Sequence, residues 1–185
     1  RKAHAAAIRA LQIDEGLAEA HAALAYAKQF CEWNWGEIER EYHRALDIDP
    51  NLGMAHHWYA LFLTSMGCFE EAQIHMNCAL ELDPLSPVLN AHLGWILYFA
   101  RQNGRAVEQL QKAVELDPQF AVSHYFLGLA YEQREQYAGR EQRRPEPGAL
   151  QRLAPRGRTL EGLRRREALR AARRQPAAGH CGDDA

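Results

Sequence analysis

The 185 residues are 47% hydrophobic and carry a formal charge of −2, apolar content enough for one domain with a sizeable core. That near-neutral total joins two unlike parts: residues 1–137 hold 10 Lys and Arg against 18 Asp and Glu, a balance of −8, and residues 138–185 hold 12 Arg against 6 acids, a balance of +6. No apolar run reaches the roughly 18–20 residues that span a bilayer, and no signal peptide opens the chain, which argues against a membrane protein.

The elements follow one another at a fixed interval. ALDIDP (45–50), ALELDP (79–84) and AVELDP (113–118) lie 34 residues apart, and ALQIDE (10–15) is a fourth copy 35 residues earlier. Other columns keep the step: Ala25, Ala60, Gly94, Gly128; Leu24, Tyr59, Leu93, Leu127; Ile38, Ala72, Ala106; Tyr42, Met76, Leu110. The one extra residue falls between Ala25 and Trp35, in the turn CEWNW (31–35). Such a period predicts paired helices, near 2–13, 17–30, 35–48, 52–66, 69–82, 86–101, 104–116 and 120–135. Each Asp-Pro ends one helix and starts the connection to the next, because Pro cannot continue the helix before it. The small residues at 25, 60, 94 and 128 let two helix backbones approach, and large apolar side chains one turn away fill the space around them.

This 34-residue helix–turn–helix unit resembles the tetratricopeptide repeat (TPR) family. LGWIL (93–97), FEEA (69–72), ALELDP and LGLAY (127–131) carry the likeness, which covers residues 1–137. It implies an all-α solenoid, a right-handed superhelix whose first helices line a concave face. The array is then half a repeat, three full repeats and a truncated last one. The chain opens on Arg1 inside a second helix, so a longer protein is expected. WNW and HHWYA resemble TPR regions attached to bacterial signalling proteins such as winged-helix regulators, cyclases and Ser/Thr kinases, which implies an effector domain upstream.

The period stops near Tyr137. The column Ile38, Ala72, Ala106 arrives at Arg140; Tyr42, Met76, Leu110 at Arg144; Ala45, Ala79, Ala113 at Pro147. An Arg in a buried column strands a charge, and Pro145 and Pro147 break a helix. Residues 138–185 contain no Val, Ile, Phe, Tyr, Trp or Met, too little apolar surface to offset ordering entropy. Three readings stand: a disordered basic tail, a segment translated in the wrong frame of a GC-rich gene, or a basic module for nucleic acid or an anionic surface. The abrupt onset favours the frame error. The arginines come without aromatic residues to stack on bases. TLEGLRRREALRAARRQ (159–175) has helix-forming composition. Without a second helix after Tyr137, the side of the last first helix that bears Leu127, Ala130 and Tyr131 is expected to lie uncovered and to invite self-association.

Catalytic motifs are missing from the sequence: no phosphate loop, nucleophile elbow or HExxH. An enzyme is not expected, nor a cofactor or small-molecule substrate. His21, His56 and His124 share a column with Asn90, a whole repeat apart, too far to ligate one ion at ~2.0–2.1 Å each, so a structural role is expected and no metal site. Cys31, Cys68, Cys78 and Cys181 have no CxxC spacing and read as reduced thiols of a cytoplasmic protein.

The TPR resemblance also points to the groove-facing columns of the first helices: Ala22, His57, Ala91, Tyr125; Ala23, Trp58, His92, Phe126; Tyr26, Leu61, Trp95, Leu129; Gln29, Thr64, Tyr98, Glu132. TPR domains that grip chaperone C-termini carry Lys, Asn and Arg there, and this chain has none, so that ligand is disfavoured. The expected partner-binding groove is Tyr26, His57, Trp58, Leu61, His92, Trp95, Tyr98, Tyr125, Phe126 and Leu129, suited to an apolar peptide or a helix of a partner protein. Nucleic acid through the Arg-rich tail is the alternative.

Overall fold

The computed structural model describes residues 2–30 and 34–142, with side chains to Gln136. They form helices α1 (Lys2–Ile13), α2 (Ala18–Lys28), α3 (Trp35–Ile48), α4 (Gly53–Met66), α5 (Phe69–Leu82), α6 (Pro87–Phe99), α7 (Asn103–Leu116) and α8 (Ala121–Gln142). The chain divides into two units, Arg1–Glu135 and Gln136–Ala185; α1 to α7 lie wholly in the first, and the end of α8 is the described part of the second. Of the expected Arg-rich tail, residues 138–142 belong to α8, and the rest, including 159–175, lies outside the described residues.

The turns show why the period predicts the helices so closely. Asp14, Asp49 and Asp117 each accept the backbone N–H two residues on, from Gly16, Asn51 and Gln119 at 2.8, 3.0 and 2.9 Å. The aspartate side chain thus builds the turn that follows α1, α3 and α7. Inside a repeat, α4 and α6 end alike. Cys68 N–H bonds Leu63 O at 2.9 Å and Gly67 N–H bonds Thr64 O at 3.1 Å; Gln102 N–H bonds Leu97 O at 2.9 Å and Arg101 N–H bonds Tyr98 O at 3.1 Å. This closure requires a left-handed residue, supplied by Gly67 (φ 83°) and Arg101 (φ 62°).

The next position in that column is Glu135, and there the structure departs from expectation. The last first helix does not end near 135; α8 continues through Tyr137 to Gln142. Residues 131–137, YEQREQY, offer no Gly or Asn to take the left-handed turn, and Glu, Gln and Arg favour helix.

Helices α2–α3, α4–α5 and α6–α7 pack as hairpins, and α2, α4 and α6 also touch in succession. Ile38, Tyr42, Tyr59, Leu63, Met76, Ile96, Leu97 and Leu110 fill the space between them, fully buried. The small column does what its spacing suggests, unevenly. A Cβ on Gly94 would lie 2.4 Å from Leu110 Cγ, whereas one on Gly128 would meet nothing within 4 Å. On α8, Ala130 is buried, contrary to the expected bare side, while Leu127 and Tyr131 are half-buried against the core.

The histidine column is structural, through a repeated polar latch. His21, His56 and His124 donate Nε2–H to the carbonyls of Glu15, Pro50 and Pro118 at 3.1, 2.9 and 2.9 Å, and Asn90 Nδ2 donates to Pro84 O at 3.1 Å. Each therefore pins the turn six residues earlier. The other side of the ring or amide meets the following second helix: His21 Nδ1 with Glu41 Oε2 at 2.7 Å, His56 Nδ1 with His75 Nδ1 at 2.9 Å, and Asn90 Oδ1 with Gln109 Nε2 at 2.6 Å. Since His56 donates through Nε2, its Nδ1 accepts, and His75 is the donor of that pair. The latch spans three helices per repeat and satisfies polar groups that the packing buries.

Among the described cysteines, Cys68 departs from the reading as a reduced thiol, since it is disulfide-bonded, and Cys78 is a free thiol.

Candidate functional site

The first helices carry a line of rings on one face. Tyr26 of α2 stacks on Trp58 of α4 at 4.5 Å between centroids. His57 of α4 stacks on His92 of α6 at 4.9 Å; His92 lies 5.8 Å from Trp95, and Trp95 5.6 Å from Phe126 of α8, which touches Tyr125 at 5.1 Å. Neighbouring helices are thus bridged by aromatic pairs 32, 35 and 31 residues apart, which join neighbouring columns because each repeat presents the same helix face.

The ten residues expected in the groove are not equivalent. Trp58, Leu61, Tyr98 and Phe126 are half-buried and pack against the core, so they support the face as much as they present it. Tyr26, His57, His92, Trp95 and Leu129 are also half-buried, and Tyr125 is 63% exposed. Several flanking positions of the same columns do not reach the surface. Ala22 and Ala91 are fully buried, and Thr64 is buried with its hydroxyl donating to Ala60 O at 2.7 Å. Trp95 and Tyr98 form one patch through a residue that the columns omit: Phe99 lies edge-on to both, at 5.7 and 5.2 Å. Phe30 stands to Tyr26 as Phe99 does to Trp95, four residues on and edge-on at 5.2 Å. The missed signal was the i, i+4 spacing from an aromatic already singled out.

The face is nearly uncharged. Glu132 is the one ionisable carboxylate or cation in the carried-over columns, and the nearby Lys28 ammonium binds Glu37 Oε1 at 2.5 Å, which holds the Glu37 carboxyl below its ordinary range. Burial, reinforced by His92, pushes His57 down to about 4, and burial lowers His92 as well. Both imidazoles are therefore neutral at neutral pH, joined by a 2.8 Å hydrogen bond between His57 Nε2 and His92 Nδ1. Trp95 Nε1 is buried and has no hydrogen-bond partner among the described residues. An unpaired indole N–H in the middle of the face is a group that an acceptor on a bound chain could satisfy after modest rearrangement.

Two open hollows lie elsewhere. One, of about 470 Å³, is lined by Ile8, Leu11, Gln12, Glu15, His21 and Arg44, and the other, of about 480 Å³, by Asn77, Leu80, Glu81, Pro84, Leu93, Gln109 and Lys112. They occupy equivalent places beside the latch, two repeats apart, so they are a by-product of the repeat. Among the described residues no three His, Cys, Asp or Glu side chains gather as metal ligands, and no helix is long and apolar enough to cross a membrane.

Residues 98–134 match the family model for the TPR repeat. Among solved structures, PilF of Pseudomonas aeruginosa is 26% identical, with a TM-score of 0.63 over 74% of this chain and 62% of that one. The O-GlcNAc transferase of Thermobaculum terrenum is 27% identical, with a TM-score of 0.57 over 63% of this chain and 22% of that one. YrrB, described as a TPR protein with an unusual peptide-binding site, is 21% identical, with a TM-score of 0.59 over 77% of this chain and 76% of that one. The chain spans less than two thirds of the length of the PilF and transferase chains that it resembles. Among curated proteins no sequence matches it. The α-helical array is a TPR solenoid, with the period, the turns and the neighbours in agreement.

Proposed function

We propose that this tetratricopeptide-repeat array is a protein-interaction module whose first-helix face holds an apolar helix or extended peptide of a partner protein. The observation that carries the reading is the line of rings from His57 through His92 and Trp95 to Phe126 and Tyr125, which crosses three helices without a charged side chain. Aromatic side chains offer large contact area at small entropic cost and dominate binding energy where they cluster. An uncharged face favours an uncharged ligand surface, because a buried charge on the ligand would find no partner. The likeness to YrrB, whose description names a peptide-binding site, supports the same use of the fold. Binding of this kind assigns no bond-making role to any residue of the chain.

The test is a photo-crosslinking residue placed at Tyr125, 63% exposed at the end of the line, with Ile74 of α5, 61% exposed, as control. Crosslinking from position 125 should join one apolar segment of one partner, and position 74 should join none. Equal or random labelling from both positions would remove the face as a binding site.

A further inference from the structure

We propose that His57 and His92 form a two-histidine site for a square-planar or tetragonal transition ion, Cu(II) or Ni(II), bridging two successive repeats. The two nitrogens that face one another, His57 Nε2 and His92 Nδ1, are 2.8 Å apart. An ion about 2.0–2.1 Å from each nitrogen needs about 2.9 Å between them for a right-angled cis arrangement and about 3.3 Å for a tetrahedral one. The spacing therefore suits the first geometry and is short for zinc. The ring centroids, 4.9 Å apart, also sit closer than those of the other histidine pair, His56 and His75 at 5.2 Å.

The comparison between those pairs separates a latch from a site. His56 Nε2 is committed to Pro50 O, so its Nδ1 is fixed as the acceptor of a hydrogen bond from His75 and the pair serves the fold. His57 Nδ1 and His92 Nε2 make no hydrogen bond among the described residues, and neither is a buried unpaired atom. Either ring is thus free to change tautomer. On binding, the bridging proton moves to the outer nitrogen of the same imidazole, both facing nitrogens become donors to the ion, and no net proton is released. The hydrogen bond aims each facing nitrogen along the line between them, so both rings must turn by roughly 45° to aim at an ion beside that line, while the contact between α4 and α6 keeps them paired. Both rings are half-buried, so part of each meets solvent, and the remaining coordination positions would take water or a donor on a bound chain.

Ni(II) titration of the full chain at pH 7.5, followed through the histidine side-chain resonances, is the test. Ni(II) is the probe because the free Cys78 thiol can reduce Cu(II). His57 and His92 should lose their signals together, and at lower Ni(II) than His124, which sits on α8 away from the pair. In His92→Phe, which keeps a ring in the stack, the Ni(II) needed to broaden His57 should rise at least tenfold. If His57 and His92 respond later than His124 or together with it, or if His92→Phe leaves the His57 response unchanged, the site does not exist. Should His92→Phe fail to fold, the order of response in the native chain decides alone.

Discussion

Helices α6 and α8 descend from the same segment of the repeat, yet they are held differently. In α6, Gly94 is clasped by Leu110, Asn90 latches both Pro84 and Gln109, and the helix closes on left-handed Arg101. In α8, Gly128 faces open space, His124 keeps the bond to Pro118, and no residue turns the chain at Glu135. The position one repeat beyond Gln109 is Arg143, outside the described residues. The comparison teaches that a repeat's second helix supplies much of what makes its first helix tight: the clasp and half the latch. Local propensity alone then decides where the first helix ends.

Substitutions at matching places should expose that difference. Leu110→Ala, at a fully buried position, should cost about 2–5 kcal/mol in denaturant unfolding, and Leu127→Ala, half-buried on α8, about 1 kcal/mol. Comparable losses at both would mean that α8 is packed like an interior helix.

Acid should loosen the interior repeats first. His57 and His75, each pushed down to about 4 mainly by burial, stay neutral in the fold while the unfolded chain takes up protons near 6.5. The stability they contribute is whole above about pH 6.5 and drains as pH falls from 6.5 to 4, on the order of 2–3 kcal/mol per histidine. Melting followed across that range, with hydrogen exchange to locate the opening, checks it. His75→Gln should flatten the slope by about one proton, because an amide can still donate to His56.

The two glycines should respond with opposite sign. Gly94→Ala drives a methyl into Leu110 and should cost about 1–3 kcal/mol by overpacking. Gly128→Ala has room and should gain up to ~1 kcal/mol from helix propensity. Smallest of all, Arg101→Gly relieves a side chain held at φ 62° and should gain about 0.5–1 kcal/mol, visible as a small rise in Tm.

How legible this was in the sequence depended on whether a role leaves a uniform mark. Asp-Pro recurs at 34 residues because every repeat needs the same turn, and the bounds of α1 to α7 followed from the period within a residue or two. The latch column could be placed but its partner could not, since Glu41, His75 and Gln109 share only an ability to hydrogen-bond. The overrun of α8 was hidden because Arg101 already fills the turn position without glycine, leaving no signal whose loss at Glu135 could be noticed. The Cys68 disulfide was hidden because cysteine spacing carries no pairing code. In the face, column positions name Tyr26 and Trp95 and pass over Phe30 and Phe99, each four residues further on and edge-on to them.

The central claim is that the line of rings is a ligand surface and not merely packing between helices, and Trp95→Ala tests it most directly. The melting temperature and the affinity for the segment captured at position 125 are measured on one preparation. A ligand surface predicts binding weakened by roughly 30-fold or more, about 2 kcal/mol, with the melt shifted by only a few degrees. A melt lowered by the roughly 3–5 kcal/mol of a buried tryptophan, or affinity left unchanged, contradicts the claim.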